Sequence, residues 1–180
     1  MMHVHFDFDL ETAIEAILYI AKQLKNIGNN DIYHIDKIFY FADRCHLEEY
    51  GSFICGDNYV AMRNGPVPRE INQILQGMSE EKSFQIAGLE FTPHSFTVDA
   101  SNVIPLREPN LKLLSQSERL CLNKAIENYG FMSFTELRDL SHDAAYESAD
   151  INDVISVEAI AATLRDGEDL IEYLKNPYPG

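Results

Sequence analysis

Basic residues are scarce in this 180-residue chain. Fourteen lysines and arginines stand against 29 aspartates and glutamates, for a formal charge of −15. The deficit is spread along the molecule: residues 1–50 carry −5, 51–110 carry −3 and 111–180 carry −7. Direct nucleic-acid binding needs lysines and arginines gathered against phosphate, and no stretch supplies such a cluster, so it is disfavoured. Cysteine is sparse too. Cys45, Cys55 and Cys121 are far apart and form no CxxC pair, which reads as free thiols of a reducing compartment rather than a disulfide framework. No apolar run approaches the roughly 20 residues that span a bilayer. The opening "MMHVHFDFDL" is acidic where a secretory leader would be basic. A cytoplasmic protein without a membrane partner is expected.

Signatures of catalysis are also missing. There is no GxSxG, no Walker lysine and no GxGxxG. Cys45 adjoins His46, but neighbouring residues on a helix point about 100° apart and do not make a nucleophile–base pair. His3, His5, Asp7 and Asp9 share one side of an alternating stretch, which is read as an exposed polar face rather than a metal site. His34 and His46 are 12 apart, not the i, i+4 pair of helical zinc chemistry. No catalytic residue, metal or cofactor is expected.

What the chain does have is helical periodicity. After the alternating arm, Asp9 or Thr12 can cap a helix whose face is Ile14, Ile17, Leu18, Ala21 and Leu24, stopped by "IGNN". A second helix starts near Asn30 or Asp31 and runs through "IYHIDKIFYFADRCHLEEYG". Ile32, Ile35, Ile38, Phe39, Ala42 and His46 line it, and its apolar circumference around residues 38–42 predicts a central position. "GDNYVAMR" reads as a strand, and a helix follows to about Met78. Two short runs flanking "TPHS" between residues 83 and 107 predict a hairpin or meander. Ser115 with Glu118, and Ser133 with Glu136, have the spacing of capping boxes at two later helices. "AAYESA", "ISVEAIAATLR" and "GEDLIEYLKN" are helical. The whole predicts one mainly α (α+β) domain over residues 1–180, with a small antiparallel sheet or hairpin and C-terminal helices at 156–175 packed on it.

Between strand and third helix lies "RNGPVPREI". A residue before proline is pushed out of the helical region, so Gly65 and Val67 should be extended. Gly65 can also take a positive φ after Asn64. Pro68 suits the first helical position and Glu70 then falls third, where the helix dipole favours it. The stretch is a stiff corner flanked by Arg63 and Arg69. Its prolines remove the amides a phosphate cradle would need, whereas a rigid platform loses little entropy on meeting a partner. Residues 118–141 have the helix–Gly130–helix outline of a helix-turn-helix. The second helix carries Glu136, Arg138 and Asp139, a net negative charge that phosphate would repel.

These residues also carry a resemblance. "IYHIDKIFYFADRCHLEEYG" followed by "GDNYVAMRNGPVPREI" resembles the Panacea domain of the SocA-like antitoxin family over about residues 12–150. The matching motifs are Lys37-Ile38-x-Tyr40 and Gly65-Pro66-Val67, with "SFTELRDLSHDAAYESA" similar to the family's closing segment. There Leu140, Ser141 and His142 lead to Tyr146, where the family more usually shows tryptophan. The resemblance implies a compact, mostly helical fold and a non-enzymatic, toxin-neutralising protein of bacteria or phage. Its partner would be a protein toxin, encoded by a neighbouring gene, and one described mode delivers the toxin to a ClpXP-type protease. Lys37, Tyr40, Tyr59, Arg63, Gly65, Pro66, Val67, Pro68, Arg69 and His142 are the candidate contact or motif residues. The alternatives are a proteolytic adaptor or phage–host interaction protein without a cognate toxin, and a transcriptional regulator using residues 118–141.

Overall fold

The computed structural model describes residues 3–79 and 94–177, with the backbone of 84–86 and 89–91 in addition. The protein is mainly α with small antiparallel sheets. Its first residues run extended, and their exposure alternates as the sequence pattern predicts, His3, His5, Asp7 and Asp9 outward and the apolar residues half-buried. Asp9 accepts the Thr12 amide and so caps α1 (Leu10–Lys25). The predicted face of α1 is buried throughout, each large aliphatic side chain contributing about 1.5–3 kcal/mol.

Helix α2 (Ile32–Tyr50) is the centre of the molecule. Asp31 caps it, and Gly51 ends it at φ +78°, a left-handed turn that a Cβ would strain. It packs against α1, α3 (Arg69–Ser79), α4 (Gln116–Tyr129), α5 (Phe134–Ser141) and α7 (Val157–Ala161). Contacts on so many sides explain why polar Asp36, Lys37, Asp43 and His46 are buried along with its aliphatic residues. Helix α6 (Ala144–Glu147) packs on α7, and α8 (Gly167–Lys175) packs on α7 in turn. Both predicted serine caps are present. Ser133 and Glu136 complete their capping box, and Ser115 accepts the Glu118 amide.

Three differences from the sequence reading concern strands. The GPVP stretch is itself a strand: β1 (Tyr59–Met62) pairs antiparallel with β2 (Gly65–Pro68), with Arg63 and Asn64 as the turn. Pro68 therefore closes β2, and α3 opens at Arg69, with Glu70 second rather than third. The prolines are tolerated because β2 is an edge strand of a three-stranded sheet with β1 at its centre. The register Ala61↔Pro66 and Tyr59↔Pro68, with Ala61 exchanging backbone bonds with residues 152–153 instead, turns both missing N–H positions away from β1. The third strand, β7 (Val154–Ile155), pairs with β1 although the sequence shows no strand pattern there. Finally, Thr92 and Pro93 of "TPHS" fall outside the described residues, and the pairings present lie on either side of it. β3 (Phe84–Ile86) pairs with β4 (Leu89–Phe91), and β5 (Phe96–Asp99) with β6 (Asn102–Pro105). The second hairpin turns at Ala100 and Ser101, both at positive φ, without the Asn-Gly that would have announced it.

Candidate functional site

The residues singled out in the sequence meet where α2 passes under the β1–β2 hairpin. Pro66 lies on the outer edge of the sheet, so its carbonyl has no strand partner. Lys37, fully buried, donates from Nζ to that oxygen at 2.8 Å. The ammonium also lies 4.7 Å from the centre of the Tyr33 ring. Burial lowers the Lys37 pKa and raises that of Asp36 beside it. Gly65 makes the approach possible. It has φ +117°, and a Cβ there would come within 2.6 Å of Ser141 Oγ and 3.0 Å of Lys37 Cε.

Ser141 brings the closing segment to the same point. It is fully buried at the end of α5, its hydroxyl donating to the Arg138 carbonyl. His142 stacks on Tyr146, ring centres 4.2 Å apart, and Tyr146 donates to the Met62 carbonyl at 2.6 Å. Asp143 caps α6 and accepts from Tyr40 Oη at 2.6 Å and from Arg44 at 3.2 Å. The tyrosine at position 146 thus ties the closing segment to the hairpin by its hydroxyl.

Two further aspartates fasten the base of the hairpin. Asp43 accepts from Tyr59 Oη at 2.6 Å and from the Ile54 amide at 2.7 Å, and burial pushes its pKa up to about 7. Asp57 accepts from the Glu70 and Ile71 amides at 3.0 and 2.9 Å, capping α3 from outside the local sequence. Pro68 has no capping side chain, so a distant carboxylate takes that role. Burial pushes Asp57 up to about 6. Sequence reasoning missed Asp43, Asp57 and Asp143. "GDNYVAMR" reads as a strand from end to end, which leaves Asp57 no capping role in the sequence, and Asp143 caps α6 from the position directly before it.

The candidate residues therefore divide by position. Lys37, Tyr40, Tyr59, Gly65, Pro66 and Pro68 are buried, Val67 and His142 half-buried, and Arg63 and Arg69 exposed. Above the buried set is an open face. Met62 and Phe134 are 40% and 43% exposed, the Phe134 and Tyr33 rings are 4.3 Å apart, and Tyr33 donates to the Asn64 carbonyl. Beside them a groove of about 330 Å³ runs between the start of α2, the hairpin turn and α3. Asp36 lines it, with Oδ2 accepting from Asn72 at 2.6 Å and Oδ1 buried without a partner among the described residues. A larger cleft, about 420 Å³, lies between the N-terminal arm and α8, and its ionic groups His3, His5 and Lys175 are solvent-exposed. His34 and His46 serve the fold: His34 bridges Asp31 and the Met132 carbonyl, and His46 joins the Ser52 carbonyl to Ser117. On α5, Arg138 lies against Asp139 at 3.2 Å.

A family model described as antitoxin SocA-like, Panacea domain, matches residues 35–147. The chain belongs to this family. No curated protein and no solved structure matches it. The SocA-like span runs from the buried side of α2 to the end of α6, and so contains every residue of the junction from Lys37 to Tyr146. Helices α1, α7 and α8 lie outside it. Membership carries an antitoxin-type role in general, with a protein toxin as the kind of partner. Among the described residues, no helix is long and apolar enough to cross a membrane.

Proposed function

We propose that this chain is a non-enzymatic cytoplasmic antitoxin that neutralises a protein toxin, encoded by a neighbouring gene, by binding it. The observation that carries the reading is the match of residues 35–147 to the antitoxin family. The proposed contact surface is the hairpin turn of Met62, Arg63 and Asn64, with Tyr33 and Phe134 beside it. Several features support that choice. The turn is exposed but stands on the buried Lys37–Pro66–Ser141 junction, so little entropy is lost when it is contacted. Aromatic and arginine side chains suit the anchors of an interface. A charge of −15 steers the chain toward a basic partner. Residues 1–180 act as one domain in this reading, with Arg69 and the buried motif residues bracing the surface.

The test is co-expression with the neighbouring open reading frames. A neighbour whose product arrests growth alone, and is rescued by this chain in a co-purifying complex, is the expected result. If no neighbour is toxic and rescued, the antitoxin reading fails. Recovery of a ClpXP-type protease without a toxic partner would favour the adaptor role instead.

A further inference from the structure

The three cysteines are not equivalent. Cys45 on α2 and Cys121 on α4 are 76 residues apart, yet the Cys45 thiol donates to Cys121 Sγ at 2.8 Å. Cys55 is fully enclosed elsewhere in the core. Cys121 is buried at the same interface, whereas Cys45 is half-buried and lines a surface cavity of about 210 Å³, with Arg44, Lys124 and Tyr129 around it. A disulfide needs sulfurs about 2.05 Å apart, so the pair reaches bonding distance by a shift of under about 1 Å. Helices α2 and α4 are packed together, so the two sulfurs already meet across one interface.

We propose that Cys45 and Cys121 form a redox modification site, in which a peroxide converts the thiol pair to an intramolecular disulfide joining α2 to α4. Cys45 reacts first because the cavity opens onto it. Its thiolate attacks one peroxide oxygen, the O–O bond breaks, and Cys45 becomes a sulfenic acid as hydroxide leaves. Cys121 then attacks the Cys45 sulfur. The S–S bond forms, the S–O bond breaks, and the Cys121 proton leaves with the hydroxyl as water. The two thiols lose two electrons in all, and the peroxide gains them. Burial and the hydrogen bond with Cys45 hold the Cys121 thiol up, so it stays protonated while the more accessible Cys45 meets the peroxide. A cross-link between the central helix and α4 stiffens the elements that support the hairpin, with no contribution from any toxin.

The test uses the reduced full-length chain treated with hydrogen peroxide, followed by thiol counting and peptide mapping. The expected result is loss of two thiols, a Cys45–Cys121 linked peptide, and a higher unfolding temperature that reverts with dithiothreitol. Cys55→Ser should leave all three unchanged. Cys121→Ser should trap Cys45 as a dimedone-reactive sulfenic acid. Persistence of three free thiols under excess peroxide, a linkage through Cys55, or dimedone labelling of wild-type Cys45 without cross-linking would overturn the proposal. Because the wild-type chain carries the main readout, the outcome does not depend on any variant folding, nor on whether a toxin exists.

Discussion

Lys37 Nζ and the Pro66 carbonyl are 2.8 Å apart, a hydrogen bond between the central helix and the unpaired edge of a sheet. The relationship joins the two sequence motifs that carry the resemblance, Lys37-Ile38-x-Tyr40 and Gly65-Pro66-Val67. An edge strand can hold two prolines, but its outward carbonyl then needs a donor, and the nearest water is excluded by burial. A lysine reaching up from α2 meets that need, and Gly65 leaves it room.

Replacing Lys37 by methionine keeps the aliphatic length and removes the donor. The Pro66 carbonyl is left buried and unsatisfied, at a cost of about 1–3 kcal/mol. Urea denaturation of Lys37→Met reads this directly. A variant as stable as the parent would show that water reaches the carbonyl.

Gly65→Ala should be more damaging. The added Cβ meets Ser141 Oγ at 2.6 Å, and φ is +117°. Strain and overpacking together should cost roughly 2–5 kcal/mol. Pairing it with Ser141→Ala should recover the steric part but not the backbone part. Full recovery in the double variant would mean that φ at position 65 relaxes freely.

Much of this was legible beforehand, because it is local. The faces of α1 and α2, the caps at Ser115 and Ser133, and the Gly51 stop follow from short-range pattern, which leaves the first cap between Asp9 and Thr12 and the second between Asn30 and Asp31; the structure selects Asp9 and Asp31. The strand character of GPVP was hidden, since two prolines argue against a strand unless its edge position is known. The Asp57 cap of α3, the Asp43–Tyr59 bond and the Cys45–Cys121 contact were hidden for a different reason. Each joins residues whose proximity is set by tertiary packing, and no spacing along the chain encodes it. The motif residues themselves were found, but the sequence could not separate buried Lys37, Tyr40 and Tyr59 from exposed Arg63 and Arg69.

Stability should depend on pH in an unusual direction. Burial raises Asp43 to about 7 and Asp57 to about 6, so the folded state holds these protons more tightly than the unfolded state, where aspartate titrates near about 3.9. The associated stability is complete below the unfolded value and is lost as pH rises through the folded ones. Burial works against protonated His34, but Asp31 and the Met132 carbonyl prevail, and its raised pKa acts in the same direction. At the acid end, the Arg107 hydrogen bond lowers Glu15. Burial opposes ionised Asp31, but its bonds with His34 prevail and lower it too. Stability from this second pair is lost as pH falls through their lowered values. The urea midpoint should therefore decline from about pH 5 to about pH 8, and Asp43→Asn, whose oxygen can still accept from the Ile54 amide while its NH2 donates to Tyr59 Oη, should flatten the decline. A midpoint that climbs over that range would contradict the assignment.

The most direct measurement is growth rescue by variants matched for stability. With a toxic neighbour identified, the wild-type chain should restore growth. Arg63→Glu combined with Phe134→Ser should abolish rescue while the purified variant unfolds at the parental urea concentration. An exposed pair on α8, away from the residues of the hairpin face, Glu168→Lys with Glu172→Lys, should rescue fully. Undiminished rescue by the Arg63–Phe134 variant would contradict the hairpin face as the toxin-binding surface.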